Sequence, residues 1–158
     1  VGTVMFLIVG FGWGKPVPVD PRSFRHPKRD IALVAAAGPA SNLVLAFATV
    51  FVGAALPTLA ILPTPFFLLL QDFLQSSLFV NLGLMAFNLL PVAPLDGSKI
   101  LGIFIPYRFE DQYQEFMRRG PFILLFLLIG ERLLGVPLLI SWIMLIINPI
   151  LRVMEALM

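Results

Sequence analysis

Residues 31–71 contain no charged side chain. That run is too apolar for a water-facing loop and too long for one buried helix. A helix needs roughly 20 apolar residues to cross the hydrocarbon core of a bilayer. Backbone in lipid must satisfy its own polar groups, which leaves helices or closed barrels. The run therefore predicts a full span over about 31–55. A turn follows near Pro57 and Pro63-Thr64-Pro65, and then a second span starts. Composition agrees: 59% of the 158 residues are hydrophobic, 13% are charged, and the mean hydropathy is +0.95. Soluble domains are nearer half apolar and a quarter charged. The expected fold class is all-α, a polytopic helical membrane protein with room for roughly four to six spans.

The charges cluster between the apolar runs. A net charge of +2 distributed in this way marks membrane topology and argues against nucleic-acid binding. The chain has no cysteine, which excludes disulfides and thiolate metal ligands. Residues 1–11 are apolar but too short to span, and no basic segment precedes them. They read as the tail of a span that begins upstream of Val1, so we expect the C-terminal part of a longer protein.

Residues 14–30 hold four prolines, five Lys/Arg and two Asp, an extended loop by that count. Within it, Arg22, Arg25, Lys28 and Arg29 read as a topology determinant lying against anionic headgroups, and His26 as a solvated loop residue. In 31–55, Ala35-Ala36-Ala37-Gly38-Pro39-Ala40-Ser41-Asn42 has small residues four apart, a pattern that lets helices pack closely. Gly38, Pro39 and Asn42 are thus expected to serve packing. The second span, about 66–90, carries Gln71, Asp72 and Gln75 near one end and Asn81 and Asn88 deeper. A short helix is expected over 96–105 and a polar loop over 107–119. Two short helices, or a span and a partial span, are expected in the apolar remainder, broken near Gly135-Val136-Pro137. Trp13 and Trp142 are interface or packing candidates. Both basic loops, 14–30 and 107–119, fall on one side of two spans, so the positive-inside rule makes both cytoplasmic.

Asp96 is the residue most at odds with this background. It ends the stretch Phe87-Asn88-Leu89-Leu90-Pro91-Val92-Ala93-Pro94-Leu95-Asp96-Gly97, and no other charge occurs between Asp72 and Lys99. An ionisable residue at membrane depth is costly and marks a functional site by default. Pro91, Pro94 and Gly97 break the helix there. Broken backbone survives at that depth only when buried in protein or lining a water-filled cavity. The bend therefore reads as a ligand-bearing element. The plain alternative for Asp96 is a helix N-cap. For Asn88 it is interhelical hydrogen bonding or a partner for carbonyls freed by Pro91.

Three motifs in register then resemble the site-2 proteases, intramembrane zinc metalloproteases, in their compact bacterial and archaeal branch. The first is Gly12-Trp13-Gly14-Lys15-Pro16-Val17-Pro18-Val19 with the loop after it. The second is Ala37-Gly38-Pro39-Ala40-Ser41-Asn42-Leu43. The third is Phe87-Asn88-Leu89-Leu90-Pro91 with Pro94-Leu95-Asp96-Gly97. The resemblance covers about residues 1–105 and implies one transmembrane peptidase domain over 1–158. It implies a zinc cofactor, with Asp96 as the aspartate ligand and Asn88 as a catalytic residue positioning substrate or stabilising an oxyanion. In that family two histidines of an HExxH helix complete the metal site and its glutamate is the general base. This chain contains no HExxH, and its single histidine is His26. The two histidine ligands are therefore expected upstream of Val1, and this chain alone is expected to be inactive. The implied reaction is peptide hydrolysis in or near a transmembrane segment. The implied partners are a transmembrane protein substrate and the lipid bilayer, and the implied location is a prokaryotic cell membrane. Two other readings fit parts of the pattern: a catalytically inactive relative that binds membrane partners, and a small transporter or channel built on a broken helix with a midplane carboxylate.

Overall fold

The computed structural model describes residues 24–58 and 63–157. The expected helix tail over 1–13, the first motif with Trp13, and the loop through Arg22 lie outside the described residues. Five α-helices follow in order: α1 (Pro27–Ala55), α2 (Thr64–Asn88), α3 (Asp96–Leu101), α4 (Glu110–Leu134) and α5 (Leu138–Ala156). Short 3-10 turns occupy Leu56–Thr58, Gly102–Phe104 and Tyr107–Phe109. Among the described residues there is no strand. Three helices, α1, α2 and α5, are long and apolar enough to cross a membrane.

Helix α1 starts at Pro27, before the apolar run, because proline at the first helical position has its φ preset and its missing N–H costs nothing there. Pro39 lies inside the helix without ending it. The buried face of α1 is made of Ala32, Ala35, Pro39 and Ala46. Lipid tails are as apolar as leucine, so helices gain little by hiding apolar area; they gain by close packing, which small residues permit. Ala46 joins Leu82, Met85 and Ala86 of α2 and Ile147 and Met154 of α5 in one core cluster. Large side chains face the other way: Val44, Phe51, Phe66, Leu69, Phe73 and Leu145 are each more than half exposed. A soluble monomer rarely exposes apolar surface on this scale. This is a membrane protein, and lipid is the solvent for that surface.

One expectation about the second half changes and another holds. The polar stretch 107–119 is not a loop: α4 begins at Glu110 and runs through it. Its charges are spaced for a helix, with Gln114 donating to Glu110 at 2.8 Å and Arg118 and Arg119 both held by Glu115. The break near 135 is where the sequence puts it. Gly135 has φ +67°, the left-handed conformation that ends helices. Its N–H bonds Glu131 O at 3.0 Å. Glu131 Oε2 accepts the Leu139 N–H at 3.2 Å and so caps the start of α5.

The two polar segments meet. Lys28 Nζ donates to Ile105 O at 3.0 Å, lies 2.5 Å from Glu110 Oε2, and sits 4.2 Å from the centre of the Tyr107 ring. The start of α1 is thereby tied to the start of α4, which places residues 24–30 and 105–111 at one end of the bundle. The Lys28 ammonium, with help from Gln114, holds the Glu110 carboxyl below the usual carboxylate range.

Two predictions follow from this packing. A Cβ on Gly97 would sit 2.2 Å from Leu89 O, and one on Gly120 would sit 2.4 Å from Ala93 Cβ, whereas Gly83 and Gly130 have nothing within 4 Å. Gly97→Ala and Gly120→Ala should each cost about 1–3 kcal/mol through overpacking. Gly83→Ala and Gly130→Ala should gain about 0.5–1 kcal/mol by helix propensity; thermal unfolding in a mild detergent checks all four. For Glu110, a lowered folded pKa means stabilisation present above the ordinary carboxylate value of about 4.3 and lost as pH falls through the folded value. The stability gap between wild type and Glu110→Gln should therefore close as the medium is acidified below about pH 4.

Candidate active site

Helix α2 stops at Asn88 because Pro91 can neither donate its N–H nor fit the next turn. The backbone then turns tightly on itself. Leu89 N bonds Met85 O at 3.1 Å, Leu90 N bonds Phe87 O at 3.0 Å, Val92 N bonds Leu90 O at 2.8 Å, and Leu95 N bonds Val92 O at 3.0 Å. Shortening the last turn leaves Ala86 O without its usual helical donor, and the Trp142 indole Nε1–H fills the gap at 2.9 Å. The fully buried Ser98 hydroxyl donates to Leu95 O at 2.6 Å. Tyr113 of α4 donates to Ser98 O at 2.9 Å. Several of the backbone groups freed by the bend, which would be costly to leave bare in hydrocarbon, are thus partnered.

The product of this bend is the position of Asp96. It is the first residue of α3, and its side chain is 29% exposed. The N-cap position of α3 is taken by Leu95, so the N-cap alternative does not describe Asp96. Its Oδ1 lies 3.3 Å from Lys99 Nζ one turn on, the charge pairing expected of ionisable groups at depth. On the other side it meets α1: a Cβ on Gly38 would lie 3.2 Å from Asp96 Oδ2. Gly38 lies about 16 Å along α1 from Pro27 at 1.5 Å per residue. The carboxylate is therefore inside the bundle, not at its polar end.

Asn88 is half-buried at the other edge of the bend. Its amide makes no hydrogen bond among the described residues, so neither interhelical bonding nor repair of a freed carbonyl occupies it. Asp72, Gln71 and Gln75 are exposed on α2, away from the bend. His26 is exposed just before α1, its backbone N–H bonded to Asp30 Oδ2 at 3.1 Å, far along the helix from Gly38. Among the described residues no three His, Cys, Asp or Glu side chains converge. A catalytic zinc needs three protein ligands. The described residues do not make such a site by themselves; at the bend they offer the single carboxylate of Asp96.

The sequence reading missed several residues that build this site. Gly38 was assigned to packing, yet it gives Asp96 its room. Lys99, Tyr113 and Gly120 were not singled out. The small-residue motif around Gly38 carried a signal; the contact of Tyr113 with Ser98 carried none, since it links different helices.

One comparison with known proteins falls on this region. The family model for peptidase family M50 matches residues 66–128, which include α2, the bend, α3 and much of α4. The protein YwhC of Bacillus subtilis (strain 168), provisionally named a zinc metalloprotease, is 40% identical over 110 residues, covering 66% of this chain and 48% of its own length. Both matches support the site-2 protease family, peptidase family M50, for this chain. It spans about half the length of the curated relative it matches. No solved structure matches it significantly. As a family of metalloproteases, M50 accounts for a deep carboxylate better than a transporter would.

The tight approach at Gly38 generates a prediction. In the full-length protein Gly38→Ala should push the Asp96 carboxylate by a few tenths of an ångström and lower kcat/KM about tenfold. The helix should tolerate it, because alanine is the better helix former. Cleavage kinetics set beside thermal unfolding would separate the two effects; a parallel loss of both would mean that Gly38 serves packing alone.

Proposed function

We propose that the full protein is a zinc endopeptidase that cleaves peptide bonds in or near transmembrane segments, and that this chain is its C-terminal part. The observation that carries this reading is Asp96, held against α1 by a bend braced with turn, serine, tyrosine and tryptophan hydrogen bonds. The likeness to M50 metalloproteases makes zinc the expected metal, and Asp96 is the carboxylate we assign to it. The other two ligands are histidines of an HExxH segment preceding Val1.

Asn88 flanks the same bend with a half-buried amide that has no partner among the described residues. We assign it to hydrogen bonding with the substrate backbone or with the oxyanion that develops on it, where a preorganised donor is most effective. A substrate helix must open locally before its backbone can reach either residue, since helical peptide groups are already bonded and shielded. The basic end of the bundle, where Lys28 meets Glu110, faces the cytoplasm under the positive-inside rule. That orientation puts the catalytic carboxylate nearer the cytoplasmic face.

The test uses the full-length protein. Asp96→Ala should abolish zinc retention and cleavage of a transmembrane substrate, and change stability by less than about 1 kcal/mol, since a partly exposed side chain leaves no cavity. Zinc content by mass spectrometry and proteolysis in vesicles are the readouts. Unchanged cleavage would remove Asp96 from the site. A full-length protein that holds no zinc and cleaves nothing even as wild type would instead be an inactive relative.

A further inference from the structure

A cleft lies away from Asp96, at the end of the bundle where α1 begins. Its volume is about 650 Å³. One wall carries Arg25, His26, Lys28 and Arg29; the other carries Phe104 and Tyr107. The walls have opposite characters. Phe104 is 75% exposed and Tyr107 80% exposed, so rings face outward beside a row of cations. Aromatic rings next to Lys/Arg at a span end are the pattern of a membrane–water interface.

The cations are not equivalent. Lys28 is committed to Glu110, Ile105 O and the Tyr107 ring. Asp30 is turned to the His26 backbone N–H. Arg25 and Arg29 are exposed and form no ion pair among the described residues. Arg118 and Arg119 of α4 differ, since both grip Glu115. The cleft therefore offers two uncommitted guanidinium groups, whose planar forks match phosphate oxygens in pairs. Lys28 stands at its back as a fixed point charge.

We propose that this cleft binds a phosphate-bearing anion, with Arg25 and Arg29 as its ligands and Phe104 and Tyr107 lying against the apolar part of whatever carries the phosphate. An anionic phospholipid headgroup and a free phosphate share that chemistry. The site is separate from the Asp96 bend and does not depend on proteolysis.

The experiment places the full-length protein in neutral phosphatidylcholine nanodiscs and titrates phosphatidylglycerol, reading bound lipid by native mass spectrometry and the thermal midpoint. The test variant is Arg25→Gln/Arg29→Gln. The control, Arg118→Gln/Arg119→Gln, removes the same charge elsewhere. The expected result is about tenfold weaker phosphatidylglycerol binding in the test variant and little change in the control. In a second arm, inorganic phosphate is added to neutral nanodiscs. A midpoint rise in wild type that the test variant lacks, with no response to phosphatidylglycerol, would keep the site and make free phosphate its source. Equal weakening in test and control variants, or none in either, would mean diffuse surface attraction and would overturn the proposal. Should the glutamine pair fail to fold, Arg25→Lys/Arg29→Lys keeps the charge and loses the fork; unchanged affinity there would overturn it as well.

Discussion

Everything distinctive in this structure depends on satisfying backbone polar groups where water is scarce. A helix does so automatically, and a proline-broken segment does not. Between Asn88 and Asp96 the chain leaves helical geometry, and its amides and carbonyls must find other partners. Short-range turns supply several of them. Trp142 from α5 and Tyr113 from α4 donate to Ala86 O and Ser98 O, and Ser98 donates to Leu95 O. Two helices distant in sequence thus cooperate with the adjoining α3 to hold one irregular stretch. Gly97 and Gly120 let the pieces approach to distances that no side chain would allow.

That expense is informative because it stabilises nothing an unbroken helix would not stabilise more simply. Its effect is to turn the chain so that Asp96 points at α1 inside the bundle. Lys99 offsets part of the cost of the charge, and Gly38 gives it space. A bend that served only to reverse the chain would have no need of a carboxylate at that depth. The tie between Lys28 and Glu110 does complementary work at the polar end, where water is available and an ion pair is cheap. One end of the bundle is fastened by charge, and its interior by hydrogen bonds to backbone.

Much of this was legible in the sequence because the membrane is a strict solvent. The spans over α1 and α2 followed from the absence of charge in 31–71, and their ends from Pro57, Pro63 and Pro91. The bend and Asp96 followed from prolines beside a lone charge. The helical character of 110–119 was hidden for a physical reason. Charge density was read as a loop, whereas Glu115 and Arg119 are one helical turn apart and support each other. Glu131, a charge within an apolar stretch, caps the next helix. The roles of Trp142 and Tyr113 could not be read at all, since each rests on a contact between remote helices that no local pattern encodes.

The lengths of the helices carry one more consequence. At 1.5 Å per residue, α1 with 29 residues is about 43 Å long and α5 with 19 residues about 28 Å. A hydrocarbon core of about 30 Å suits α5 nearly upright and leaves α1 to lean or to protrude. Asp96 is positioned against α1, not against the bilayer. Its depth is therefore set by how α1 settles the mismatch: a thinner membrane tilts α1 further and brings the carboxylate nearer the surface. Bilayer thickness becomes a geometric variable of the site, transmitted through the packing of α3 on α1.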